Sequence, residues 1–349
     1  MTLRLFAAGP PDVPMSTAWY LADLGEAKGR QELFTRQSPQ RLKALREHAM
    51  IESAVSSNRI EGVEIDASRV RDVVLGRPAL RDRNEEEVRG YRNALKLIHQ
   101  SARRLPVSEE TILELHGLSR GHSGDSGRYR TKDVDIIETY PDGRSRVRFS
   151  TVPARRAPAA MSELISRWSD ALDERHVHPL LAVAAFNLDF LCIHPFRDGN
   201  GRVSRLLLIL QCHLLGYEVG RYISIERIIE QNKDRYYETL EQASQGWHDG
   251  RQDPWPYLNY LLYILQAAYR EFEDRLGQVK APRGEKSEVV LNAVDRAVGE
   301  FTVADLQREC PGVSVDMIRH VLKGLRRQGY VECIGGGRGA RWRRRRGTG

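Results

Sequence analysis

His194-Pro195-Phe196-Arg197-Asp198-Gly199-Asn200-Gly201-Arg202, followed by Arg205, is the stretch on which the reading of this chain turns. It gathers a titratable base, a hard oxygen ligand, a glycine-rich turn and, after that turn, Arg202 and Arg205, and the apolar run Val203 to Leu215 overlaps the last of these. Gly199 and Gly201 lack Cβ, so backbone can approach an anion closely. The first N–H groups of the following helix have no internal partner and carry partial positive charge, which suits phosphate oxygens. Arg202 and Arg205 are three apart, share a helix face and can reach one polyphosphate. Asp198 is suited to Mg²⁺ held jointly with phosphates. His194 titrates near neutrality and can take a proton from an attacking hydroxyl, while Phe196 is expected to point into the core and fix the loop. A lone Asp-Gly-Asn-Gly would be ordinary turn chemistry. The whole run is far more specific.

The rest of the chain supplies a helical setting. Apolar residues recur at helical spacing over 41–55, 85–102, 108–118, 158–175, 178–193, 203–215, 228–245 and 254–276. Residues 1–40 hold four prolines and little periodicity, and read as an irregular arm on the body. Val134, Ile136 and Ile137, then Pro141-Asp142-Gly143, then Val147 and Phe149, read as a β-hairpin. The expected fold class is therefore mainly α with one hairpin, plus a small C-terminal domain. The expected divisions are 1–105, 106–276, a linker at 277–286, and 287–346.

The motif resembles the signature of the Fic family, His-x-Phe-x-(Asp/Glu)-Gly-Asn-Gly-Arg-x-x-Arg, at every fixed position. The resemblance extends over roughly 15–275, with the hairpin where that family carries a flap for its target segment and Gly127-Arg128-Tyr129-Arg130 leading into it. It implies transfer of AMP from ATP to a Ser, Thr or Tyr hydroxyl of a target protein. His194 would be the general base, and Asp198 would hold Mg²⁺ bridging the α and β phosphates. Asn200, with the N–H groups of Gly199 and Gly201, would bind the α phosphate. Arg202 would hold the β phosphate and Arg205 the γ phosphate. Asn232 and Tyr236, one turn apart, are candidates for the adenosine pocket, though a tyrosine at helical spacing is as often core. A relative that transfers the γ phosphate has Lys at the second glycine, and this chain keeps Gly201.

Ser57-Asn58-Arg59-Ile60-Glu61-Gly62 matches the family's inhibitory motif, (Ser/Thr)-x-x-x-Glu-(Gly/Asn), N-terminal to the core. If Glu61 pairs with Arg205, that arginine cannot order the γ phosphate, and Ser57 would support the contact. The bland alternative is a helix that ends on a glycine. The same glutamate could instead position a water for removal of AMP, which makes a de-AMPylase one alternative function.

The net charge is +7, and Ala281 to Gly349 holds 14 Lys/Arg against 8 Asp/Glu, leaving the rest near neutral. A basic end on a neutral body points to a separate module with an acidic partner. Residues 287–300 and 303–309, and a third helix capped by Ser314, precede two short strands around Gly335-Gly336-Gly337-Arg338-Gly339. This resembles a winged helix-turn-helix. Its recognition helix would expose Ser314, Asp316, Arg319, His320 and Lys323, its wing Arg338, and Arg343 to Arg346 would follow DNA phosphates. A DNA-binding regulator with a nucleotide-sensing core is thus the second functional alternative, and protein docking or solvated disorder the bland ones. No run reaches the roughly 18 apolar residues of a membrane helix, the start is a poor signal peptide, and the four cysteines lack CxxC spacing. A cytoplasmic protein with reduced thiols is expected. The sequence leaves a homodimer open.

Overall fold

A computed structural model describes residues 1–9, 11–37, 39–76, 79–121, 124–139, 142–278, 285–297, 299–310, 313–335 and 340–345. The chain divides into two compact units, Met1–Leu276 and Gly277–Gly349. The division expected at 105/106 therefore falls inside one unit. The expected linker is partly helical: Gly277 and Gln278 close one helix, Glu285 and Lys286 open the next, and 279–284 lie outside the described residues. No helix among the described residues is long and apolar enough to cross a membrane.

The first unit runs α1 (Thr2–Ala8), α2 (Met15–Gln37), α3 (Pro39–Ile60), α4 (Val70–Leu75), α5 (Arg83–Ser101), α6 (Glu109–Arg120), β1 (Asp135–Thr139), β2 (Ser145–Ser150), α7 (Ala157–Asp173), α8 (Pro179–Ile193), α9 (Asn200–Leu214), α10 (Ile225–Gln231), α11 (Lys233–Ser244) and α12 (Trp255–Gln278). At its centre is α8, buried at every position from Leu180 to Ile193, as an all-round apolar helix must be. It packs between α7 and α9. Side chains set the helix starts: Asp82 accepts from Glu85 N, and Ser108 from Thr111 N. The hairpin pairs antiparallel, Asp135 opposite Ser150 and Thr139 opposite Ser145, with a bulge between Ile136 and Ile137.

Residues 1–40 are not an irregular arm. Two helices lie there, α1 and α2. Pro11 and Pro14 lie between them. The buried positions of α2 include Thr17, Ala27 and Gln31 beside Leu24, so small and polar residues on the inner face erase the hydropathy contrast on which periodicity depends. The short α1 is capped from a distance: the N–H groups of Thr2 and Leu3 donate to the Asp189 carboxylate of α8 at 2.6 and 3.0 Å. The expected helix over 228–245 is broken at Asn232, where α10 ends and α11 begins.

The second unit holds α13 (Glu285–Arg296), β3 (Glu300–Thr302), α14 (Val303–Glu309), α15 (Val315–Arg327), β4 (Val331–Ile334) and β5 (Arg341–Arg344). The helix expected to reach 300 stops at Arg296, and Glu300 begins a strand. The strands form one antiparallel sheet in the order β3-β5-β4. Ile318, Val321, Leu322 and Leu325 of α15 pack with Phe301, Val331 and Trp342 in a small core. Thr302 and Asp305 make a capping box at α14.

Candidate active site

The motif is the junction of α8 and α9. His194 ends α8 in the left-handed region, φ 54°, with its N–H on Phe190 O at 2.9 Å. A β-carbon residue held there is strained backbone of the kind that clusters at functional sites. The turn is held open by its own side chains. Phe196 is fully buried and stacks on His116, ring centroids 3.8 Å apart. The Asn200 carboxamide accepts from Phe196 N at 2.9 Å and donates to Phe196 O at 2.8 Å. Arg130 bonds the carbonyl of His194 at 2.7 Å and Thr151 at 3.0 Å, so the loop is tied to the base of the hairpin.

Behind the loop lies a buried ion network. Glu87 of α5 accepts from Arg202 on one oxygen and from Arg120, at 2.7 Å, on the other. Arg120 and Arg202 also bond Asp198, at 2.7 and 3.2 Å, and Arg83 reaches both carboxylates. Asn58 accepts from Arg202 at 3.2 Å. Partial burial pushes the Asp198 pKa up, but Arg202 and Arg120 outweigh it and hold the carboxyl below its usual range.

This bears on two expectations. Arg202 is 1% exposed and committed to Glu87, Asn58 and Asp198. The Asn200 amide bonds Phe196 through its oxygen and one N–H. In this arrangement each satisfies a buried partner whose loss would leave a polar group unpaired, while Arg202 Nε is buried with no partner among the described residues.

Arg205 differs. Its Nε donates to Ser57 Oγ and its Nη2 to Ser57 O, both at 2.9 Å, and Nη2 also bonds Glu61 Oε1 at 2.7 Å. Its Nη1 is buried with no partner among the described residues. A methyl group at Gly201 would lie 3.1 Å from that Nη1, 3.0 Å from Glu61 Cδ, and in collision with Glu61 Oε1. Gly201 is thus the floor of a small cradle at the N-terminus of α9, with an unfilled guanidinium donor on one side and a carboxylate lying in it. Burial lowers the pKa of Arg205, and Glu61 more than restores it, so the guanidinium stays charged.

His194 and Gly201 open on a cleft of about 390 Å³, lined also by Glu61, Tyr236 and the hairpin residues Ile136 and Phe149. His194 Nδ1 is 3.3 Å from Leu191 O. A carbonyl can only accept, so that contact places the proton on Nδ1 and leaves the Nε2 lone pair as the base. Burial first, and Arg130 next, push its pKa down to about 4. Tyr236 is buried against Tyr257 and Tyr260 and lines this cleft. Asn232 does not: its amide returns to Ile228 O at 2.8 Å, and it lines a separate depression with Tyr20 and Trp255.

The described residues contain no group of three or more metal-ligating side chains. Asp198 is one half-exposed carboxylate. Such a donor fits Mg²⁺ brought in on substrate phosphates, which typically takes one or two carboxylates, and not an all-protein cage.

Residues 106–212 match the model of the Fic/DOC family. The chain is 28% identical over 211 residues to the protein adenylyltransferase Fic of Nematostella vectensis, covering 58% of this chain and 45% of that protein. It is 26% identical over 216 residues to the protein of the same name from Drosophila persimilis, covering 60% and 39%. The match spans less than half the length of these relatives. A crystal structure of a Fic family protein from Desulfovibrio desulfuricans superposes with a TM-score of 0.63 at 25% identity, over 97% of this chain and 98% of that one. Fic-1 from C. elegans gives 0.59 at 21% identity over 76% and 74%, which speaks to the fold alone.

The motif itself did not reveal Glu87, Arg120 or His116, nor the tie that Arg130 makes to its loop. Glu87 carried the clearest signal. It falls one turn before Tyr91 on the apolar stripe of α5 that continues through Ala94, Leu95 and Ile98, and a charge on an inner stripe demands a partner. His116 donates through Nε2 to Asp198 O at 3.1 Å and accepts from Gly127 N at 3.0 Å. That geometry belongs to a neutral imidazole, and burial holds its pKa at about 4.

Proposed function

We propose that this chain is a protein adenylyltransferase restrained by its own Glu61. The observation that carries the reading is the Glu61 carboxylate lying on Gly201 against Arg205, beside an unpartnered buried Nη1. A protein anion rests where a helix N-terminus, a bare glycine and a guanidinium converge, and that combination suits a phosphate.

In this account ATP enters the cleft with its triphosphate on the N-terminus of α9, and Arg205 exchanges Glu61 for the γ phosphate. Asp198 would hold a Mg²⁺ ion that accompanies the nucleotide, and such an ion would neutralise phosphate charge. A target Ser, Thr or Tyr hydroxyl attacks the α phosphorus. His194 Nε2 takes its proton, the new oxygen–phosphorus bond forms, and the bond to the bridging oxygen breaks to release pyrophosphate. The α9 N–H groups stabilise the charge that builds on the α phosphate. Asn200 and Arg202 hold the loop and the network that shape this site. Target-bound label from ATP labelled at the α phosphate, and none from ATP labelled at the γ phosphate, is the expected result; the reverse would replace AMP transfer with phosphate transfer.

For the second unit we propose a winged helix-turn-helix that binds DNA, with α15 as the recognition helix. Arg319, His320 and Lys323 are exposed on it, which favours an acidic partner. Arg338, the expected wing-tip contact, lies outside the described residues.

A further inference from the structure

Ser53, Ser57 and Glu61 follow one another at intervals of four, so they form one row along α3 and its end. Each makes a polar contact inward. Ser53 Oγ donates to Glu226 Oε2 at 2.7 Å. Ser57 Oγ accepts from Arg205 Nε at 2.9 Å, and Tyr91 of α5 donates to Glu226 Oε1 at 2.7 Å. Glu61 bonds Arg205. Glu226 of α10 is 0% exposed, and its oxygens are taken up by the hydroxyls of Tyr91, Ser53 and, at 3.3 Å, Ser224.

Two polar anchors thus hold the same row of α3: Arg205 donates to Ser57, and one turn earlier Ser53 donates to Glu226, which Tyr91 also holds. Buried carboxylates are kept only where hydrogen bonds repay their desolvation, and Glu226 touches neither the cleft nor the motif. What it does touch is α3, directly at Ser53. Glu61 lies two turns beyond. The contacts of Glu226 therefore fix both the register and the rotation of the helix end that delivers Glu61 to Gly201.

We propose that Glu226 and Tyr91 are positioning residues for the Glu61 contact: they anchor α3 so that Glu61 reaches Arg205, and loosening the anchor weakens the restraint without touching the catalytic residues. The inference rests on the restraint described under the proposed function.

The test uses the full chain with Ser53→Ala, Tyr91→Phe and Glu226→Gln, each made with Glu61 present and again with Glu61→Gly. Two quantities are read: covalent label from ATP labelled at the α phosphate, and the Kd for ATP with Mg²⁺ by calorimetry. With Glu61 present, Ser53→Ala and Tyr91→Phe are expected to raise label and tighten ATP binding several-fold. With Glu61→Gly, the same changes are expected to do neither. General loss of stability cannot produce a gain that depends on Glu61, so this non-additivity separates anchoring from a merely structural role. Equal effects in both backgrounds, or no effect on label or Kd while Glu61→Gly alone changes them, would overturn the proposal. If no variant takes up label, the ATP Kd still decides: a Glu61-dependent tightening sustains the anchor even though the transfer reaction fails. Should Glu226→Gln fail to fold, the two milder variants carry the test.

Discussion

Glu61 Oε1 lies 2.7 Å from Arg205 Nη2, and its carboxylate covers Gly201. The contact joins the end of α3 to the first turns of α9, 144 positions apart in the chain. Arg205 is 2% exposed, so the attraction acts with little solvent screening. A nucleotide that needs Arg205 must displace this carboxylate, and the displacement is subtracted from its binding energy.

Glu61→Gly should therefore tighten ATP binding. We expect Kd for ATP with Mg²⁺ to fall at least about tenfold, which corresponds to ~1.4 kcal/mol. Glu61→Asp, one methylene shorter, should fall between wild type and Gly. Calorimetric titration checks this; equal affinities for the three proteins would contradict it.

Glu87 joins Arg120 and Arg202 and is 2% exposed. Removing one member of a buried ionic group leaves uncompensated charge, and Glu87→Ala should destabilise the protein by about 3–5 kcal/mol. Urea unfolding followed by circular dichroism reads the loss. A change below about 1 kcal/mol, the range of exposed pairs, would mean the network is not sealed from water.

Phe196 and Asn200 are scaffolding within the motif. Phe196→Ala should cost about 3–5 kcal/mol, because the His116 ring loses its stacking face. Asn200→Ala should also destabilise, since Phe196 N and O both lose a partner. Its effect on activity should then accompany a fall in Tm. An Asn200→Ala protein with unchanged Tm and lost activity would instead return this side chain to the phosphate.

Stability should fall as pH drops from about 6.5 to 4. His116 and His194 both have pKa values lowered to about 4, by burial first, against an ordinary 6.5. In that window the unfolded chain binds protons that the folded chain excludes, so acid favours unfolding, and above about 6.5 neither state is protonated and the effect vanishes. Tm measured against pH should be level above 6.5 and decline below it. A Tm independent of pH across the window would show that these imidazoles protonate in the fold.

The second unit should bind duplex DNA through α15. Arg319→Ala with Lys323→Ala should weaken a gel shift, and binding should fall steeply with salt as counterions are released. The strand arginines contribute less than their number suggests, because Glu332 holds Arg343 and Arg345 and Asp295 lies against Arg344. No shift at low salt would remove the DNA reading.

The helices around the motif were legible because α5 and α7 carry strong apolar stripes, and α8 is apolar throughout. The N-terminal helices were not, since Thr17, Ala27 and Gln31 face inward in α2 and give no contrast. The break at Asn232 escaped notice because Ile228, Ile229 and Tyr236 keep a helical rhythm across it. In the site, His194, Gly201 and Glu61 line one cleft, and Glu61 bonds Arg205. Arg202 turns inward because Glu87 and Asn58, remote in sequence, claim its bonds, and one stretch of sequence cannot disclose which of its polar groups the tertiary structure will claim; Asn200 bonds the backbone of Phe196, four residues before it.

The central claim is AMP transfer by His194 under restraint by Glu61. Purified wild type, Glu61→Gly and Glu61→Gly/His194→Ala would be incubated with Mg²⁺ and ATP labelled at the α phosphate, and covalent label on the protein itself counted. The account predicts little label on wild type, a clear rise for Glu61→Gly, and its disappearance in the double variant. Label that persists without His194, or no label on Glu61→Gly protein that binds ATP, would contradict it.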